Sequence, residues 1–242
     1  MRIMTFAKRN FKEIMRDPIS LIFSIVLPLV LLVIFQQFDI PNDVYKIENF
    51  APGIVIFSYG FIILFTGTLV AKDRTSSLLS RLFASPLKPI EFIMGYMIAL
   101  LPLAIIQSTL FFICGIFFGL SFTINTFYTI LILIPMSIMF ILIGILLGTV
   151  FSDKTVPGIA SLILQLVCFA SGMWFDLSVS GAFFETLGRI LPFSYALDIT
   201  RAFLKGNFVG LGKPFLIALF YTIGLFLLVV YVFKKKMQSD KI

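Results

Sequence analysis

Residues 50–71 have the sequence FAPGIVIFSYGFIILFTGTLVA, a run of 22 positions without a charged side chain. A helix needs about 20 apolar residues to cross the hydrocarbon core of a bilayer, because each residue advances it by about 1.5 Å. A surface helix of a soluble domain would carry charged residues along its solvent-facing side. The stretch therefore predicts a transmembrane helix.

Five further runs of this kind flank the first, at residues 19–35, 92–118, 127–150, 156–175 and 215–233. Of the 242 residues in the chain, 60% are hydrophobic and 13% are charged, and this charged fraction is about half that of an ordinary soluble domain. The sequence therefore predicts an all-α membrane protein in which residues 1–242 form one domain with six transmembrane helices.

The orientation follows from the loops, because Lys and Arg concentrate on the cytoplasmic side of a membrane. An even number of spans places both termini on one side, and that side holds 14 of the 19 basic residues, with a net charge of +8 against −1 on the other. Both termini are therefore predicted to be cytoplasmic. Since topology accounts for the whole charge of +7, no nucleic-acid partner is expected.

Residues 1–17 predict an amphipathic helix lying in the membrane interface. Its apolar stripe is Ile3, Phe6, Phe11, Ile14 and Met15, and its basic residues are Lys8, Arg9, Lys12 and Arg16. Glu13 is predicted to pair with Arg9 at i,i+4 spacing, and Pro18 to begin the first span. Two roles remain open for this helix, a simple membrane anchor and a contact with a partner.

Residues 72–91 predict a cytoplasmic loop containing a short helix with an apolar stripe of Leu78, Leu79, Leu82 and Phe83. In water such a stripe must pack on something, either the ends of this protein's own spans or a groove in a partner.

Residues 172–213 on the outer side are too apolar for an ordinary exposed loop, and they predict a re-entrant helical segment broken at Pro192. Within it Glu185 is predicted to pair with Arg189, and Asp198 with Arg201. Its aromatic residues, among them Trp174 and Tyr195, fit either an interfacial belt or a surface that contacts substrate.

The sequence lacks the residues of several kinds of membrane machinery. There is no histidine, and the spans contain no ionisable residue of the kind that marks a proton relay. Residues 206–214 miss the phosphate-loop pattern, because the spacing is one residue too long and Pro214 stands where Ser or Thr is needed. Energy for transport is therefore expected from another subunit, and the apolar spans favour a hydrophobic or amphipathic substrate.

Four stretches in order along the chain resemble the type 2 ABC transporter permease family. They are AKRNFKEIMRDPIS at 7–20, SLLSRLFASPL at 77–87 followed by Gly95, SGMWF at 171–175 and LPFSYALD at 191–198. The family usually has glycine and glutamate where this sequence has Ser77 and Ser80. The resemblance covers the whole chain.

The resemblance implies a homodimer, or a dimer with a related permease, in the plasma membrane of a bacterial-type cell, together with two cytoplasmic ABC ATPase subunits. The chain would hold no cofactor, since ATP and Mg²⁺ would bind to the ATPase. The residues expected to contact the ATPase are Leu78, Leu79, Arg81, Leu82 and Phe83. The candidate residues of the substrate path are Ser24, Ser58, Thr66, Ser161 and Gln165, although each also fits a hydrogen bond between helices.

The implied function is export of a drug, peptide antibiotic or lipid, powered by the separate ATPase. Two alternatives remain: an exporter of a lipid-linked polysaccharide, and a membrane scaffold or immunity-type protein that binds a partner without transport.

Overall fold

The computed structural model describes residues 2–38, 40–76, 88–177 and 180–239, and all regular structure within them is helical. The elements are α1 (Arg2–Met15), α2 (Pro18–Gln37), a 3₁₀ helix (Asp43–Tyr45), α3 (Ile47–Thr75), α4 (Pro89–Phe117), α5 (Ile124–Val150), α6 (Val156–Ala170), α7 (Ala182–Ile190), α8 (Pro192–Lys205) and α9 (Gly212–Ser239). The all-α prediction is confirmed.

Each of the six predicted apolar runs coincides with a helix. Four of these helices are long and apolar enough to cross a membrane: α3, α4, α5 and residues Gly212–Lys236 of α9. The remaining two, α2 and α6, have shorter apolar helical stretches, Leu21–Gln37 and Val156–Ala170. The fifth run was predicted to extend to residue 175, but its helix ends at Ala170 because Gly172 has a φ of +82° and turns the chain out of the helical path.

The apolar helices alternate in direction between two ends of the molecule. α3 begins at the end that holds the 3₁₀ helix, α7 and α8, called here the cap end. It finishes beside α1, at what is called here the α1 end, and α4 returns from there. The last helix also finishes at the α1 end, where the ring of Phe233 lies 5.9 Å from that of Phe92.

The third helix forms the centre of the molecule. It packs against α2, α4, α5, α6 and α8, and 83% of its most apolar 18 residues are buried, compared with 11% for α9. Close approach to α5 depends on glycine. A Cβ atom at Gly148 would lie 2.4 Å from the carbonyl oxygen of Gly67, and one at Gly144 would lie 2.5 Å from Cβ of Thr66. This Gly-x-x-x-Gly pair therefore packs two helices of the same chain.

The segment predicted to be re-entrant contains the two short helices α7 and α8, which are separated at Leu191 as the proline predicted. The buried Phe193 of α8 packs against Phe140 of α5, with ring centroids 5.6 Å apart. The ring of Trp174 contacts those of Phe35 and Phe50 at 4.9 and 5.8 Å. The 3₁₀ helix, the turn after α6, α7 and α8 are together called here the cap. These aromatic contacts hold the cap against the ends of α2 and α3 and against the middle of α5.

One hydrogen bond between α2 and α4 compensates for a proline. Pro28 has no N–H group, so the carbonyl of Ser24 four residues earlier lacks its helical donor. Gln107 of α4 is fully buried, and its Nε2 lies 3.3 Å from that carbonyl oxygen and donates to it. The two helices are thereby joined by a polar contact within their apolar packing.

We predict that Gln107→Leu destabilises the protein by about 1 kcal/mol, because it leaves the Ser24 carbonyl without a donor in an apolar environment. Pro28→Ala restores the main-chain N–H, so the same Gln107→Leu change should cost much less in that background. Unfolding midpoints of the four proteins in mixed detergent micelles measure the coupling. Equal effects of Gln107→Leu in both backgrounds would contradict this account.

Candidate functional site

The site is built around a carboxylate buried at the α1 end. α3 continues four residues beyond its apolar run, and this places Asp73 on a helix with only 2% of the residue exposed. The loop predicted to begin at residue 72 therefore begins later, and its last residues form the start of α4 at Pro89. A charge this deeply buried is costly unless it is paired and hydrogen-bonded.

Two other helices supply the partners of Asp73. Nη1 of Arg9 on α1 lies 2.6 Å from its Oδ2 atom, and the hydroxyl of Tyr96 on α4 donates to the same oxygen at 2.9 Å. One carboxylate oxygen thus joins three helices. Burial alone would lower the pKa of Arg9, but the hydrogen bond to Asp73 and its negative charge raise that pKa above its ordinary value. The guanidinium therefore stays charged.

The predicted pairing of Arg9 with Glu13 is wrong. Arg9 pairs with Asp73, and Glu13 lies 3.5 Å from Nζ of Lys72 instead. The reason is physical: an exposed i,i+4 pair contributes a few tenths of a kcal/mol, whereas an unpaired buried carboxylate costs several. Arg9 therefore pairs with the buried carboxylate of Asp73 and not with the more exposed one of Glu13.

An aromatic contact fixes the position of α1 on α4. The ring of Phe6 meets those of Phe92 and Tyr96 edge-on, with centroids 5.4 and 5.0 Å away. Gly95 makes room for it, since a Cβ atom there would lie 2.5 Å from Cδ1 of Phe6. Aromatic pairs in this geometry contribute about 1 kcal/mol beyond the area they bury.

The buried side of α1 differs from the predicted stripe. Phe6 and Ile14 are buried as expected, Ile3 and Phe11 are partly buried, and Met15 is 55% exposed. In its place the polar residue Asn10 is buried, and its Oδ1 accepts a hydrogen bond from Arg9 at 2.8 Å. Asn10 therefore helps to hold the guanidinium of Arg9 in place beside Asp73.

A second arginine ties α3 to α5. The guanidinium of Arg74 donates to the main-chain carbonyls of Thr149 and Phe151, the latter at 2.7 Å. Thr149 lies in the last turn of α5 and Phe151 directly follows it, where helical donors are lacking and a positive charge is favourable. Arg9 and Arg74 together connect α1, α3, α4 and α5 at one end of the molecule.

The residues predicted to contact a partner lie beside this site in the chain but outside the described residues. They are Leu78, Leu79, Arg81, Leu82 and Phe83. Their described neighbours are the end of α3 and the start of α4, the two helices that Asp73 and Tyr96 join.

The predicted path residues divide into two groups. Ser24, Ser58 and Thr66 are buried, and each hydroxyl donates to a carbonyl of its own helix three or four residues earlier. Ser161 and Gln165 are exposed one turn apart on α6. The first group is therefore enclosed by the packed helices, whereas the second lies on the surface of the chain.

Sequence analysis missed Asp73, Tyr96 and Asn10. One signal was present, because Asp73 stands between Lys72 and Arg74 directly after an apolar run. A lone acidic residue flanked by bases at a helix end is a candidate for a tertiary ion pair, but the sequence does not identify Arg9 as its partner.

Comparison with known proteins agrees with this architecture. The family described as ABC-2 type transporter matches residues 1–204. The chain belongs to the ABC-2 type transporter family. This confirms the resemblance, and it makes the protein the membrane component of an ABC transporter rather than the ATPase.

Two relatives of this ABC-2 permease extend the comparison. A protein from Cyanophora paradoxa named as a transport permease, ycf38, is 27% identical over 220 residues, which cover 82% of this chain and 72% of the relative. ABC transporter G family member 20 of Dictyostelium discoideum is 26% identical over 212 residues, covering 84% of this chain but only 28% of that much longer protein.

We predict an asymmetry between the two halves of the ion pair. Arg9→Gln leaves the Asp73 carboxylate, whose side chain is 3% exposed, without a counter-ion and should cost about 3 kcal/mol or more. Asp73→Asn leaves an arginine whose side chain is 37% exposed and whose guanidinium can turn to water, so it should cost about 1 kcal/mol.

Thermal unfolding of the purified permease in detergent measures both variants. The double variant Arg9→Gln, Asp73→Asn removes both charges and should be more stable than Arg9→Gln alone. If Arg9→Gln is no more damaging than Asp73→Asn, the pair does not serve to neutralise a buried charge.

Proposed function

We propose that this ABC-2 permease is the membrane subunit of an exporter for a hydrophobic or amphipathic substrate, driven by ATP hydrolysis in separate cytoplasmic ATPase subunits. The observation that carries the proposal is the polar cluster of Arg9, Asp73 and Tyr96. It joins the amphipathic helix to the two helices flanking residues 77–87, which are the residues expected to contact the ATPase.

The cluster of Arg9, Asp73 and Tyr96 would transmit a movement of residues 77–87 to the membrane helices. A ligand-driven change at one site reaches another through a packed element that has two arrangements. Movement of residues 77–87 would act on the ends of α3 and α4 together, because Asp73 and Tyr96 share a hydrogen bond. Arg74 would carry the same movement to the end of α5. The central helices would thus shift as a unit.

Six membrane crossings are part of the proposal. The alternating directions of the helices place α1 and the end of α9 at one end, and the termini and loops predicted at that end hold 14 of the 19 basic residues. By the distribution of Lys and Arg, this end faces the cytoplasm. The cap then faces outward, in a bacterial-type plasma membrane.

The proposed substrate class follows from the surfaces of the apolar helices. They offer aromatic and aliphatic groups with a few hydroxyls and no charge to neutralise a small ion. Ser161 and Gln165 are exposed on α6 beside Leu162, which is 67% exposed. A glutamine facing lipid is costly, so this side of α6 is proposed to face a second permease subunit and the substrate path. Drugs, peptide antibiotics and lipids fit it.

Two alternatives predict different results in one experiment. The permease is incorporated into liposomes with its ATPase, and ATP hydrolysis is measured with and without candidate substrates. Stimulation by amphipathic compounds supports the proposal. Stimulation only by lipid-linked glycans favours a polysaccharide exporter, and binding of the ATPase without any stimulation favours a scaffold.

We predict that Leu82→Asp weakens copurification with the ATPase at least tenfold, because it removes about 1.5 to 3 kcal/mol of apolar burial and adds a charge to the contact. Leu82→Met is the matched control, which should be nearly silent since it keeps an apolar side chain of similar size. If the stripe packs on this protein's own helices, Leu82→Asp should instead lower folded yield and leave the surviving protein's affinity for the ATPase unchanged. Normal copurification and normal stimulated hydrolysis would refute the contact.

We predict that single cysteines at Asn42 and Asn207, both exposed at the cap end, react with a membrane-impermeant thiol reagent added to intact cells. A cysteine at Ser239 should react only after the membrane is opened. The two native cysteines, Cys114 and Cys168, are first replaced by alanine. Labelling at Ser239 from outside would overturn the orientation.

A further inference from the structure

The exposed side of α1 carries positive charges without counter-ions. Lys8 and Lys12 on the helix and Arg16 directly after it are exposed, and they follow one another at i,i+4 spacing along one side. None of the three forms an ion pair within the described part of the chain. A shallow recess of about 400 Å³ lies beside them, lined by Thr5, Lys8, Arg9, Lys12, Glu13 and Arg16.

The other two charged residues of this recess already have partners. Arg9 pairs with Asp73, and the carboxylate of Glu13 lies 3.5 Å from Nζ of Lys72. The recess therefore keeps three positive charges, against which the exposed residues at the end of α1 offer only the single negative charge of Asp17. An anion that enters the recess meets a net attraction.

The recess lies at the depth where the apolar runs end. Asp73, the partner of Arg9, comes two residues after the uncharged run 50–71 of α3. The ring of Phe6 contacts that of Phe92, which is the first residue of the apolar run of α4. Because α3 and α4 are long and apolar enough to cross the membrane, α1 lies along the boundary between hydrocarbon and headgroups.

Exposed apolar side chains border the basic ones. Met4 and Met15 are 62% and 55% exposed, and with 3.6 residues per turn both fall within about 40° of Lys8 around the helix axis. They lie outside the buried face of α1, which holds Phe6 and Ile14. An apolar sector beside a basic one is typical of a helix in contact with lipid. An acidic protein surface in water would match the cations but leave the methionines exposed.

The charges also select among lipid headgroups. Lys8 and Lys12 repel each other at i,i+4 spacing, and an anion placed between them relieves this repulsion. Each Lys or Arg near an anionic membrane surface strengthens binding about fivefold. The headgroup of phosphatidylcholine would instead bring its own quaternary ammonium to the recess. An anionic headgroup is therefore favoured over a zwitterionic one.

We propose that the basic side of α1 binds anionic phospholipid, with Lys8, Lys12 and Arg16 holding the phosphate. The acyl chains would lie against Met4 and Met15. This goes beyond anchoring, because α1 is already held by its ion pair to α3 and its aromatic contact with α4, neither of which selects a headgroup. Binding needs neither the ATPase nor transport, so its failure would leave the proposed export function open to its own test.

The two arginines of the cap differ from the basic residues of α1, because both are engaged within the protein. Arg189 pairs with Glu185 at 2.7 Å, as predicted. Arg201 donates to two main-chain carbonyls, at 3.1 and 3.2 Å, in place of the predicted pair with Asp198. Selectivity for anionic lipid is therefore expected at the α1 end and not at the cap.

A tryptophan placed on α1 reports the lipid beside it, because brominated acyl chains quench nearby indole fluorescence. Trp174, the single tryptophan, is replaced by phenylalanine, and Met15→Trp is introduced. Nanodiscs contain phosphatidylglycerol and phosphatidylcholine, with one or the other brominated. We expect phosphatidylglycerol to be preferred at least fivefold beside α1, and high salt to remove the preference by screening exposed charges. A control reporter on α9, Phe220→Trp, is 77% exposed and should show less than twofold preference.

Charge variants test the assigned residues in the Met15→Trp protein. Lys8→Gln with Lys12→Gln should reduce the preference at least threefold, whereas Lys8→Arg with Lys12→Arg keeps both charges and should keep it. The matched control is Lys205→Gln with Lys213→Gln, which removes two exposed charges from the cap end and should change the preference less than twofold. Thermal unfolding in detergent shows whether each variant is folded.

Three results would overturn the proposal: a preference below fivefold at Met15→Trp, a preference that persists at high salt, or a reduction of less than threefold in the folded glutamine variant. If the glutamine variant does not fold, the salt titration decides. A low preference together with weaker ATPase copurification of Lys8→Gln, Lys12→Gln would assign the basic side to an acidic surface of the ATPase. A low preference with unchanged copurification would show a side that is only solvated.

Discussion

A carboxylate that is almost entirely removed from water needs a positive charge beside it, and this requirement organises the α1 end of the permease. Asp73 cannot obtain that charge from its neighbours Lys72 and Arg74 on α3, because Lys72 lies near Glu13 and Arg74 caps α5. Arg9 supplies it from an amphipathic helix 64 residues earlier. The position of α1 against α3 and α4 is therefore set by charge as well as by the packing of Phe6.

The other end of the molecule is held by different forces. Aromatic rings around Phe35 and Trp174 pack the cap onto the helices, and Arg201 binds two main-chain carbonyls. Between the ends, glycines let α3 and α5 approach closely, so the centre of the bundle has little freedom to deform. A rigid bundle centre with polar contacts between helices at both ends suits a transporter. Displacement of the helices at one end would then move their other ends as well, because the packed centre deforms little.

Sequence patterns predicted the helices because an uncharged apolar run of about 20 residues has few alternatives to a helix in a membrane. The sequence patterns did not predict the helix ends that are set by tertiary contacts or by a single backbone conformation. α3 extends to Thr75 because Asp73 finds a counter-ion that no local pattern reveals, and α6 ends at Ala170 because Gly172 adopts a left-handed conformation. The resemblance identified the family, but the buried cluster was invisible to it, since none of the quoted stretches contains Asp73 or Tyr96.

The order of Arg9 and Asp73 along the chain also matters for biogenesis. Translation makes α1 first, so a basic helix is already at the membrane surface when the end of α3 leaves the ribosome. Because Arg9 precedes Asp73 in the chain, the counter-ion of the buried carboxylate is already present when α3 is inserted. The carboxylate therefore depends on no later helix for a positive charge at the edge of the lipid.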